Sequence, residues 1–237
     1  MRGRTGMVIV PARLPVIIRL LDEKYFRPRW SPRYEPVEEL VYTILSQNTS
    51  DTNSERALRS LRQEYPTWVE VAAARRSGIA AAIRSGGLSD TKSAYIKDAL
   101  NRLLREHGDL NMDFLGEMDD DTAIAYLTGF NGVGVKTASC VLLFALGRPV
   151  MPVDTHVYRV SKRLDFIGED ASREDAHKIL TAITPPEDIF AFHINLVTHG
   201  RRACKAGKPR CGDCVIEPLC PSSIAYEDIW GVEDPGA

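Results

Sequence analysis

A lysine at position 136 stands where a cation is electrostatically out of place. The stretch FNGVGVKTA, residues 130–138, sets it two residues after the second of two glycines, at the head of the apolar run TASCVLLFAL. An ammonium at a helix N-terminus meets the positive end of the helix dipole, and cations ordinarily sit at the other end. Val133, Val135 and Ala138 around it add partial desolvation, so both effects favour the neutral amine. A neutral amine is a nucleophile suited to attacking a sugar carbon and forming a Schiff base. The plain alternative is a surface lysine whose stem covers apolar atoms while its head reaches water.

Gly132 and Gly134 separate the helix expected around Ala123 to Leu127 from the apolar one, which makes them a tight helix-to-helix turn. Glycine permits positive φ and leaves no Cβ in the path of an approaching group. The unpaired N–H groups at the start of the second helix then form an anion site, for which a DNA phosphate is one occupant; an ordinary helical hairpin is the competing reading. Eighteen residues after the lysine, in VMPVDTHVYRV, Asp154 is placed to cap the helix containing Val157 and Val160. A capping carboxylate also stabilises a developing oxocarbenium charge or orients a nucleophile in glycosidic bond cleavage.

Four of the five cysteines follow the spacing C-x6-C-x2-C-x5-C at Cys204, Cys211, Cys214 and Cys220. Zinc sites usually pair two short knuckles, whereas only one is present here. The unequal gaps favour a [4Fe-4S] cluster over zinc. An odd cysteine count without an export signal argues against a disulfide framework, and Cys140, inside the apolar run, reads as a core residue. The loop KAGKPR between the first two ligands adds Lys205, Lys208 and Arg210 to Arg201 and Arg202. Between His199 and Gly212 there are thus five positive charges and no negative one, although the chain's net charge is -2. Such local concentration suits a polyanion.

These side chains require a helical scaffold. Apolar spacing is helical almost throughout: Ile96, Ala99, Leu100, Leu103 and Leu104 share one face, and no alternating strand pattern stands out. An all-α fold follows, with about ten or more short helices starting near Pro36, Asp51, Pro66, Ser89, Asp119, Asp154, Ser172 and Pro186. Gly86, Gly108, Gly147, Gly168 and Gly200 lie near helix ends. Residues 36–147 form one domain around the apolar helix. Residues 1–35 with 148–237 form a second, which contains the cysteine loop 204–220 and a helix near Leu14 to Tyr25. An interdomain cleft is expected between them. At 237 residues, 44% hydrophobic and 26% charged, the composition is that of a globular protein. The longest apolar run, Cys140 to Leu146, is too short to span a membrane. The brief apolar run before Pro11 falls short of a signal-peptide core, so a cytoplasmic, nucleoid-associated protein with no membrane partner is expected.

Taken together, FNGVGVKTA, PVDTHVYRV and the cysteine spacing resemble the endonuclease III family of the helix-hairpin-helix DNA glycosylase superfamily, from about Pro36 to Cys220. The family hairpin, L-P-G-V-G-x-K, falls on Phe130 to Lys136 without a gap. In this superfamily a lysine there implies a bifunctional glycosylase and AP lyase. The resemblance places the catalytic aspartate at Asp154 and the cluster ligands at the four cysteines. LSQNTSD stands where the family reads close to L-S-A-Q-A-T-D, so Asn48 or Gln47 is expected to fill the gap left by an extruded base. Leu88, in GGLSDTK, matches a leucine that wedges into the duplex. The plain readings are a polar helix end for the first pair and a buried anchor for Leu88. Asn131 for proline, Phe130 for leucine and Gln47 for alanine depart from the family pattern.

The resulting expectation is a monomeric base excision repair enzyme that binds double-stranded DNA containing a damaged base or abasic site. The hairpin at Gly132 and Gly134, with Arg201, Lys205, Lys208 and Arg210, would grip it. The base, an oxidised pyrimidine, would flip into the cleft; Lys136 would attack C1′ with Asp154 in support, and β-elimination would nick the strand. The alternatives are a mismatch or methylated-base glycosylase and a non-catalytic iron-sulfur DNA-binding protein.

Overall fold

A computed structural model of the chain describes residues 10–225. Residues 1–9, at the start of the expected second domain, and most of the stretch after Cys220 (226–237) lie outside the described residues. Regular structure among the described residues is entirely helical. The α-helices are α1 Leu14–Tyr25, α2 Pro36–Leu45, α3 Asp51–Glu64, α4 Trp68–Ala73, α5 Arg76–Ala82, α6 Ser89–His107, α7 Asp120–Thr128, α8 Val135–Leu146, α9 Thr155–Arg163, α10 Arg173–Ile183 and α11 Ile189–Arg202. Short 3-10 turns, such as Arg84–Gly86, punctuate them.

Capping chemistry sets many of the boundaries. Ser50, Asp119 and Asp154 accept backbone N–H groups at the starts of α3, α7 and α9. Thr67 with Glu70, and Ser172 with Asp175, form reciprocal capping boxes. Gly108 and Gly147 close α6 and α8 in the left-handed region. The chain divides into Ser31–Arg148 and a unit built from the segments flanking it, through Trp30 and from Pro149. In the first unit α8 is buried nearly all round, packing on α2 and α7; Ala138, Val141, Leu142 and Leu143 meet a core to which α2 contributes Leu40, Val41, Ile44 and Leu45. In the second, α11 packs on α1 and α9, burying Phe192 and Leu196 with Ile17, Leu21 and Val157.

Two boundaries differ from the sequence reading. α4 begins at Trp68 rather than Pro66, because the Thr67 capping box fixes its start. α9 stops at Arg163, well before Gly168, because Asp165 takes the left-handed conformation itself, with φ 53°, and Phe166 N–H bonds back to Ser161 O at 2.9 Å. Gly200 lies near the end of α11, as expected, two residues before Arg202. There glycine serves packing: a Cβ would lie 2.8 Å from the His156 Cβ on α9. Gly→Ala inside a helix ordinarily gains about 1 kcal/mol. Gly200→Ala is expected to lose about 1–3 kcal/mol through overpacking, as read by urea denaturation.

Candidate active site

The α7–α8 connection is a compact hairpin. Phe130 N–H bonds to Leu127 O at 3.1 Å and Val133 N–H to Phe130 O at 3.1 Å. Gly132 holds φ 76°, and a Cβ there would run into the Tyr95 ring on α6. Gly134 is different: its backbone is extended, with φ -95°, and nothing lies within 4 Å of where its Cβ would be. Only the first glycine is demanded by chain geometry, while the second leaves the head of α8 open. No side chain caps α8, so its leading N–H groups face that opening.

The departures from the family hairpin are accommodated locally. Phe130 is buried, with the Arg102 guanidinium 4.5 Å from its ring centroid. Asn131 donates through Nδ2 to Asp98 Oδ2 at 3.3 Å, tying the turn to α6. Gln47 Nε2 donates to Gly132 O at 2.8 Å, with Thr137 Oγ1 at 3.5 Å. Gln47 therefore braces the hairpin, and its neighbour Asn48, exposed and held at φ 53°, is the residue that projects.

Lys136, the second residue of α8, is half-buried. One turn on, it shares a hydrogen bond with the buried Cys140 thiol, and its charge also reaches Glu39 on α2. Glu39 is fully buried, accepting from Arg33 Nε at 2.9 Å and Thr43 Oγ1 at 3.0 Å. Burial pushes the Glu39 carboxyl above its ordinary range, against the pull of its Arg33 bonds. The lysine's surroundings are thus more polar than the valines beside it imply.

Asp154 caps α9 with one oxygen: Oδ1 accepts from His156 N at 2.8 Å and from Val157 N at 2.7 Å, leaving Oδ2 outside the cap. The segment leading to it is clamped. Met151 N–H donates to Thr181 Oγ1 at 2.9 Å, His177 Nδ1 bonds Met151 O at 2.7 Å, and His193 Nδ1 bonds Pro152 O at 3.0 Å. A carbonyl only accepts, so both imidazoles carry a proton on Nδ1. Neither histidine stands out in the sequence.

Leu88 precedes α6 in the left-handed conformation, φ 49° and ψ 36°, and is 59% exposed. It is no buried anchor.

Cys204, Cys211, Cys214 and Cys220 line one cavity of about 60 Å³ together with His199 and Arg163. Among the described residues no group of three or more His, Cys, Asp or Glu side chains closes around a single ion. Burial, and then the other three cysteines, push the Cys214 thiol up to about 11, so an ionised set calls for a cationic partner. Four thiols facing one cavity fit a multinuclear cluster in donor type and number. His199, held down to about 4 by burial, places Nε2 3.7 Å from Cys214 Sγ. Two arginines one turn apart on α9 hold the loop: Arg163 donates to Cys204 Sγ at 3.1 Å, Lys205 O at 2.9 Å and Ala206 O at 3.1 Å, and Arg159 donates to Cys204 O at 3.0 Å. Arg201, Lys205, Lys208 and Arg210 are exposed around it.

Fold and hairpin together define a helix-hairpin-helix protein, and the family model described as HhH-GPD superfamily base excision DNA repair protein matches residues 41–186. Endonuclease III of Sulfolobus acidocaldarius is 34% identical over 183 residues, 76% of this chain and 79% of that protein. A putative DNA glycosylase of Arabidopsis thaliana is 40% identical over 165 residues, 70% of this chain; the match spans 56% of the plant protein's length. Among solved structures, a trapped endonuclease III–DNA covalent intermediate matches with a TM-score of 0.76 and 29% identity, over 90% of this chain and 97% of that one. The chain belongs to the endonuclease III family of the HhH-GPD superfamily.

An exposed leucine in left-handed backbone lowers stability and contributes little burial. Leu88→Gly is expected to leave the protein as stable or up to about 1 kcal/mol more so, measured by chemical denaturation. A marked loss would assign Leu88 to the core.

Proposed function

We propose that this chain is a bifunctional DNA glycosylase and AP lyase of base excision repair, with Lys136 as nucleophile and Asp154 as the supporting carboxylate. The observation that carries the reading is Lys136 itself, at the head of a helix capped by no side chain and entered past a glycine with open space beside it. The Lys136 amine attacks C1′ of the damaged nucleotide, the C1′–N bond breaks, and the base leaves with a proton. The adduct opens to a Schiff base as O4′ takes a proton. Loss of a proton from C2′ then expels the 3′ phosphate by β-elimination, and water hydrolyses the imine. Asp154 offers Oδ2 to the positive charge that grows on the sugar while Oδ1 keeps the helix cap.

Duplex DNA is the partner. The hairpin N–H groups at Gly132 and Gly134 hold a phosphate, and Arg201, Lys205, Lys208 and Arg210 supply non-specific charge contacts. Asn48 fills the space of the extruded base, Gln47 holds the hairpin in register beside it, and Leu88 wedges the stack. Cys204, Cys211, Cys214 and Cys220 hold a [4Fe-4S] cluster, which when bound supplies the iron–thiolate bonds that fix the basic loop. The enzyme acts as a monomer on oxidised pyrimidines. The altered segment SQNTSD, with Gln47 in place of the family alanine, suggests a second substrate reading, a mismatched or methylated base.

Borohydride is expected to trap a covalent protein–DNA adduct on an abasic duplex, and Lys136→Ala to abolish it; undiminished trapping in that variant would move the nucleophile elsewhere. Asp154→Asn keeps a good cap and is expected to slow base excision about 100-fold with little change in stability. Duplexes each carrying one lesion separate oxidised pyrimidines from mismatched or methylated bases. Iron and acid-labile sulfide are expected at about four each per chain, and zinc in their place would overturn the cluster assignment.

A further inference from the structure

Among the described residues Lys92 is one of the largest fully buried side chains, at 1% exposure, and no carboxylate pairs with it. Burying an ammonium costs several kcal/mol unless its donors are used. Lys92 uses two of them on main-chain carbonyls: Nζ donates to Leu45 O at 2.7 Å and to Gly86 O at 2.8 Å. Both carbonyls close helical segments, Leu45 ending α2 and Gly86 ending the 3-10 turn Arg84–Gly86. Unpaired carbonyls at such ends welcome a cation.

The residues just beyond each carbonyl give the contact its meaning. Three positions after Leu45 is Asn48, exposed at φ 53°. Immediately after Gly86 come Gly87 at φ 69° and Leu88 at φ 49°, the latter 59% exposed. One ammonium thus joins the roots of the two strained, projecting tips, and Lys92 N–H also bonds Leu88 O at 2.9 Å, so the wedge is held from both sides. Close packing leaves little other freedom, since a Cβ at Gly86 would sit 3.2 Å from the Ala57 Cβ.

We propose that Lys92 is a positioning residue that fixes the spacing of Asn48 and Leu88, and so sets how effectively the duplex is opened around the damaged nucleotide. This rests on the reading of those two tips as inserting residues. Lys92 touches no DNA. A methionine of similar length would fill the same space and leave both carbonyls unbonded, so the effect belongs to the ammonium donors.

The test compares the unaltered protein with Lys92→Met, Lys92→Gln and Lys92→Arg on two substrates: an abasic site in a fully paired duplex, and the same site in a bubble whose flanking bases are already unpaired. Lys92→Met is expected to cut single-turnover trapping on the duplex about tenfold, to lower the fluorescence rise of a 2-aminopurine beside the site in parallel, and to change bubble trapping less than twofold. Lys92→Arg, which keeps donors in place, is expected to recover most of the loss. In a Leu88→Ala background the Lys92→Met effect is expected to shrink, because both act on one step. Equal losses on duplex and bubble would reduce Lys92 to general support of the fold, and no loss on either would remove it from function. If the methionine variant does not fold, Lys92→Gln gives the same comparison with a shorter donor. Failure of the unaltered protein to trap either substrate would overturn the functional reading instead, a separate outcome.

Discussion

The reversal of the chain between α7 and α8 is the constraint on which the candidate site depends. Gly132 makes it in a conformation that L-residues resist, with the Tyr95 ring filling the space a Cβ would need. Gln47 then locks the turn by donating to the Gly132 carbonyl. These contacts aim the bare head of α8 outward. Without them Lys136 would be an ordinary helical lysine; with them it sits beside open N–H groups, at a helix end where its charge is disfavoured.

Helix ends recur in every element of the candidate site. α8 is left uncapped and offers its N–H groups. α9 is capped by Asp154 through one oxygen, which settles the helix and leaves the other oxygen outside the cap. The closing carbonyls of α2 and of the Arg84–Gly86 turn are gathered by Lys92, while Lys97 on the same helix gathers Ala72 O and Ala74 O at the end of α4. Two lysines of α6 therefore organise the termini of its neighbours. In the other unit, Arg159 and Arg163 do similar work on the carbonyls of the cysteine loop. Because these contacts orient the basic loop, a chain of net charge -2 presents a local cationic surface.

What was legible in the sequence is what local rules control. The spacing of Ile96, Ala99, Leu100 and Leu103, the all-apolar α8, the caps at Asp119, Asp154 and Ser172, and the closing glycines 108 and 147 depend on residues within one or two turns. The packing of Gly200 against His156, 44 positions away in the chain, has no local signal, and at the end of α9 an aspartate, Asp165, does the work usually left to glycine. The groups proposed to react stand out in the sequence, whereas the contacts that hold them do not. Nothing local points His177 and His193 at the carbonyls before Asp154. Lys92 did leave a trace: it lies on the stripe of Ile96, Ala99 and Leu100, where a charge has no place unless it has buried partners. Glu39, set among the apolar residues of α2, left a similar one.

The central claim is that the amine of residue 136 forms a covalent bond to deoxyribose. Proteolysis of the borohydride-reduced adduct, followed by mass spectrometry of the cross-linked peptide, measures this directly in the unaltered protein. The sugar remnant is predicted on the Lys136 side chain; a remnant on any other lysine, or on the chain's α-amino group, would contradict it.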